Sequence, residues 1–223
     1  MINDTPTIFT RCLYKPNFQL AITTADQKIL EYAIALHTPF KSFKVPLEKM
    51  ITKLTDLELK TYREAKKYNI DETMFGSESA VLAELDGKYI IFYDDTKPDY
   101  HVRFSLAHEW GHYELHHDLD ARKKYASLYN KQEQEAHFFA AEILMPRAVL
   151  LKIHHRDYKV NFTLIANYFY VSYEAAQKKI HNINSYKNNW RTQNEQQFDE
   201  PIVTVFQNAI DYFFPVKEPV LNT

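Results

Sequence analysis

The stretch from Arg103 to His117 constrains the fold more than any other part of the chain. Wound as a helix, it places Phe104, Gly111 and Leu115 near one face and Leu106, Trp110 and Tyr113 on the far side. A helix that is apolar on several sides belongs in the middle of a domain, covered by other elements. Yet this one carries His108, Glu109 and His112, and burying such groups without partners is costly. The fold must therefore bring partners to them. Gly111 weakens a helix interior by roughly 1 kcal/mol relative to Ala, and its missing side chain lets another element approach closely.

Three of these residues form the pattern H-E-x-x-H. His108 and His112 lie one turn apart, so both imidazoles can grip one metal ion, and Glu109 sits about 100° round the axis, within reach of a water at that ion. A catalytic zinc takes three protein ligands and keeps one position open. Asp118 follows His112 at the distance used by short-spaced zinc proteases. That geometry needs the helix to break at position 115, usually at a glycine, where this chain has Leu115. His116 shares the face but lies a further turn along. The better third ligand is on the next helix, expected over Gln132–Leu144, whose apolar stripe is Ala136, Phe139, Ala140 and Ile143. Glu133 lies about 50° from the middle of that stripe and Glu135 about 110° away. Glu133 is therefore expected to point inward, with Glu135, turned more towards solvent, as the fallback. His137, one turn after Glu133, can hydrogen-bond to a ligand from behind.

Elsewhere the pattern is mostly helical. A helix is expected from Thr23 or Thr24, with Gln27 completing a capping box, and Pro39 stops it. A second begins at Pro46 and carries Leu47, Met50, Ile51 and Leu54. A third, polar one runs from Asp56 towards Tyr68. The period then changes. The runs 80–85 and 88–93 flank Asp86-Gly87, a strong hairpin signal because a type I′ turn needs positive φ. Short helical pieces follow at 146–153, 161–170 and 172–182, with Ser172 as a cap. Residues 186–200 are polar and linker-like, and Pro201–Phe214 reads as a helix. These elements make an α+β fold: a small antiparallel hairpin on a mostly helical body, followed by a helix-turn-helix-like segment. The expected division is 1–150 for the catalytic body, 151–190 for that segment, and 191–223 for a C-terminal tail.

Composition narrows the function classes. The 223 residues are 45% hydrophobic and 25% charged, with a net charge of −2, which is ordinary for a globular protein and wrong for a strongly basic nucleic-acid binder. The lone Cys12 excludes an internal disulfide framework and reads as a small hydrophobe. With no leader-like start and no long apolar run, a cytoplasmic, membrane-free protein is expected.

The residues Arg103-Phe104-Ser105-Leu106-Ala107-His108-Glu109-Trp110-Gly111-His112 resemble the ImmA/IrrE family of metallo-endopeptidases. So do Glu133, Ala136-His137, Phe139 and the run from Ala140 to Pro146, followed by Ile165-Ala166, Phe169, Val171-Ser172 and Ala175. The resemblance covers roughly residues 80–180. It implies a zincin-like catalytic domain of the gluzincin type, with His108, His112 and Glu133 as ligands to Zn²⁺, Mn²⁺ being an alternative, and Glu109 as catalytic base. The family usually has Asn where this chain has His137. Relatives cleave a helix-turn-helix repressor encoded nearby, so a protein of that kind is the expected substrate. Two other classes stand beside this reading. One is a metal-bound anti-repressor that binds a partner without hydrolysis. The other is a DNA-binding regulator acting through residues 161–182, against which that second helix offers only Lys178 and Lys179.

Overall fold

Asn17 starts the first helix of the computed structural model, which describes residues 15–37, 39–76, 78–121, 125–185 and 193–217. Cys12 and residues 186–192 of the expected linker 186–200 lie outside these, and the rest of that stretch is not a linker but holds a helical turn, Gln193–Gln196, and the start of a helix at Asp199. The Asn17 side chain accepts from the Leu20 N–H, so α1 spans Phe18–Leu36 and begins earlier than Thr23. The Thr23 hydroxyl instead donates back to the carbonyls of Gln19 and Leu20 within the helix. Pro46 caps the start of α2, Leu47–Leu54.

The helix expected over 56–68 does not form. Glu58–Thr61 is a strand, β1, and only Tyr62–Tyr68 coils, as a 3₁₀ segment behind a Thr61–Glu64 capping box. The expected hairpin is present as β2, Ala80–Leu85, and β3, Lys88–Tyr93, turning through Asp86 (φ 51°) and Gly87 (φ 76°). Thus the sheet is three-stranded and mixed, in the order β1-β3-β2. Leu59 pairs with Ile91 in parallel, and Leu82 pairs with Ile91 in antiparallel fashion. The strand period sends Leu82 and Ile91 into the main core, and Ile90 and Phe92 into a smaller cluster with Ala65 and Phe75. Among the described strands β2 stands at one edge of the sheet, with no strand on its side away from β3.

The remaining elements are helical: α3, Asp99–Glu114; α4, Ala126–Leu144; α5, Arg147–His154; α6, Phe162–Phe169; α7, Tyr173–Ser185; and α8, Asp199–Phe213. α3 is the central helix the sequence calls for, with Leu106, Ala107 and Trp110 fully buried. A Cβ on Gly111 would lie 3.2 Å from the Ala136 Cα and 3.0 Å from the Phe139 ring, so α3 and α4 touch where the glycine stands. The main core is continuous from α1 through α4 and α5 to α8. Among the described residues no helix is long and apolar enough to cross a membrane.

Candidate metal centre

α3 presents His108 and His112 from successive turns, and α4 lays Glu133 against both. Three ligand atoms converge. The two Nε2 atoms are 3.1 Å apart, and they lie 3.3 and 3.4 Å from the two oxygens of Glu133. A tetrahedron with bonds of about 2.0–2.1 Å, as zinc makes to nitrogen and oxygen, has edges of about 3.3–3.4 Å. Each of these spacings is close to such an edge, and among the described residues this is the group able to hold a metal ion.

The hydrogen bonds behind the two histidines bear on which of their nitrogens are bare. His117 Nε2 lies 3.1 Å from Glu135 Oε2, and His117 Nδ1 lies 2.9 Å from His112 Nδ1. A carboxylate only accepts, so the proton of neutral His117 sits on Nε2 and its Nδ1 must accept in turn. His112 then donates from Nδ1, leaving a bare lone pair on Nε2. Behind the other ligand, His137 Nδ1 lies 2.9 Å from His108 Nδ1, a contact that accommodates an Nδ1–H on His108 and with it a bare Nε2. With that tautomer at both histidines, two imidazole lone pairs and a carboxylate face one another. That arrangement suits a cation.

Electrostatics agree. Burial pushes the His108 imidazole down to about 4, against the pull of Glu133, keeping it neutral and able to ligate. Burial also pushes the Glu133 carboxyl up, but its contacts with His108 and His112 outweigh this and hold it well below the usual carboxylate range. Burial drives Glu109 the other way, up to about 7, in spite of the neighbouring His112 and of the Leu82 N–H that donates to its Oε2 at 2.8 Å. Glu109 is thus held by the β2 backbone, at the edge of a cleft of about 350 Å³ shared with the ligand triangle.

The other candidates fall as follows. Asp118 borders the cleft but stands outside the converging group. His116 is exposed, with a left-handed backbone (φ 52°). Glu135 does not face solvent. It is buried, takes the His117 N–H, and accepts from the Asn17 backbone N–H at the start of α1. The apolar stripe misplaces it because α4 is covered on two sides, by α3 and by α1, and a stripe reports only one of them. His117 was missed altogether. Its signal lies in the helix end: the His116 N–H bonds to the Tyr113 carbonyl and the His117 N–H to the His112 carbonyl. This paired turn, built on a left-handed residue, swings the chain back over the last turn. The helix-turn-helix-like pair is present, with Ser172 Oγ accepting from the Ala175 N–H. Its two lysines are in ion pairs, Lys179 with buried Glu142 and Lys178 with Glu174.

This geometry meets its family in the comparison with known proteins. Residues 47–181 match Peptidase_M78, the IrrE N-terminal-like domain. The match takes in α2, the sheet, both ligand-bearing helices and most of α7. The chain belongs to this ImmA/IrrE family of metallopeptidases. Among curated proteins none matches it.

Proposed function

We propose that the protein is a zinc-dependent endopeptidase in which His108, His112 and Glu133 hold the metal and Glu109 is the catalytic base. The observation that carries this reading is the convergence of two imidazoles and a carboxylate, at spacings close to a tetrahedral edge, beside a second carboxyl anchored at the cleft edge. Zinc, when bound, supplies Lewis acidity that activates a water and polarises a carbonyl. A donor set of two imidazoles and one carboxylate suits zinc and also admits manganese.

The chain's own residues do the rest. The Leu82 N–H fixes Oε2 of Glu109, which leaves Oε1 to take the proton of the attacking water and return it to the departing amine. A carboxyl titrating near neutral pH is matched to both halves of that transfer. The side of β2 away from β3 borders the same cleft, through Ala80, Val81 and Leu82, so an extended segment of substrate can pair there as an added strand, using the backbone groups other than the Leu82 N–H that Glu109 holds. The substrate we infer is a helix-turn-helix repressor encoded nearby, a reading supported by membership of the family. The burial of Lys179 against Glu142, together with the net charge of −2, supports a protein partner over DNA.

The test is zinc analysis of the purified protein together with cleavage of a repressor encoded beside it. Zinc at one equivalent and a single cut, with Glu109→Gln retaining zinc and losing roughly 100- to 10,000-fold in rate, is the expected result. Undiminished cleavage by Glu109→Gln would overturn the assignment.

A further inference from the structure

His137 meets His108 through one ring nitrogen and has a second to spare. With Nε2 of His108 committed to a metal, the proton of that neutral imidazole stands on Nδ1. The 2.9 Å contact between the two Nδ1 atoms then makes His137 the acceptor. The proton of neutral His137 is thereby placed on Nε2, on the side of its ring away from His108. Its ring stands edge-on to both His108 and Phe104, with centroids 4.7 and 5.6 Å away, so these two neighbours set its orientation. The residue is exposed and lines the catalytic cleft. Among the described residues no acceptor takes its Nε2–H.

We infer that the Nε2–H of His137 donates to a backbone carbonyl of the peptide substrate, so that His137 binds substrate as well as supporting His108. The inference rests on the peptidase reading above. α3 packs against both β2 and α4, and residues of all three line the cleft, so α3 is its floor and β2 and α4 flank it. An extended peptide directs the polar groups of alternate residues to opposite edges. One that pairs with β2 therefore turns its other row of carbonyls towards α4, the helix that carries His137. The side chain has two separable duties: an acceptor turned to His108 and a donor turned to the cleft. Asn supplies both through its amide, Asp supplies the acceptor alone, and Ala supplies neither.

The zinc-loaded full chain can be titrated with two hydroxamates, alongside its His137→Asn, His137→Asp and His137→Ala variants. Acetohydroxamate has no peptide carbonyl, whereas acetyl-trialanine hydroxamate adds a run of them. The preference for the longer compound isolates contacts made to the peptide. The wild type and His137→Asn are expected to share that preference. In His137→Asp and His137→Ala it should fall by roughly three- to tenfold, the range for one hydrogen bond. Zinc content and acetohydroxamate affinity should stay at the wild-type level in His137→Asp, where the acceptor for His108 is kept. No preference in the wild type, an undiminished preference in His137→Asp, or an equal loss in His137→Asn and His137→Asp overturns the inference. A wild-type protein that takes up no zinc and binds neither compound overturns the peptidase reading instead.

Discussion

The two histidines of the metal centre have different supports. His112 leans on His117, whose own proton goes to Glu135, and both supporting side chains are buried, at 5% and 7% exposure. Glu135 is in turn tied to the start of α1 through the Asn17 N–H. Among the described residues His108 leans on His137 alone, an exposed imidazole that borders the cleft. One ligand is thus oriented by the folded core, and the other by a group that solvent or substrate can touch. The orientation of His112 comes with folding, whereas that of His108 remains open to influence from whatever enters the cleft.

Four measurements would break or sharpen that contrast. Glu133→Ala removes the corner the two histidines share. It should weaken zinc affinity roughly 100- to 1,000-fold, one ligand's share of a binding free energy of about 10–16 kcal/mol, read by competition with a chelator. His117→Ala should weaken it by about 10- to 100-fold, as loss of a supporting partner does, and should lower the melting temperature as well because Glu135 is left buried without its partner. His137→Ala should fall short of tenfold, and His137→Asn should restore most of the loss, since an amide oxygen can accept the His108 Nδ1–H. Equal losses at 117 and 137 would contradict the contrast.

The smallest effect concerns pH. In the metal-free protein Glu109 titrates at about 7 against an ordinary 4.5, so the native state keeps its proton longer than the unfolded chain. Its contribution to stability is therefore full below about 4.5 and is lost as pH rises through about 7. Glu133 has the opposite sign. Its carboxyl is held below the usual range, so the stability it adds is present above about 4.5 and is lost as pH falls. Melting curves of metal-free Glu109→Gln should lack the decline between pH 4.5 and 7 that the wild type shows.

The legible parts of the molecule were those with a local signature. Asp86-Gly87 specifies its own turn, Pro46 and Ser172 mark helix starts, and His108 and His112 declare a shared face by spacing alone. What was not legible depends on distant partners. Glu58-Leu59-Lys60-Thr61 alternates without a strong strand signal and is extended because Ile90–Tyr93 pairs with it. Glu135 and His117 are polar residues buried against each other and against Asn17, and a hydrophobic pattern carries no information about such a trio. Even for Glu133, the wheel supplied a direction, while the distance to both imidazoles follows from how closely two helices meet.

That distance is governed by Gly111. Its missing Cβ leaves only 3.2 Å to the backbone of Ala136 and 3.0 Å to the ring of Phe139, and Ala136 lies less than one turn beyond Glu133. A methyl group here would favour the helix by roughly 1 kcal/mol and yet would push α4 outward, carrying the third ligand with it. Gly111→Ala would thus change the bite of the site, and its first symptom would be a shifted order of preference among divalent ions. The choice of metal would then depend on a residue that touches none.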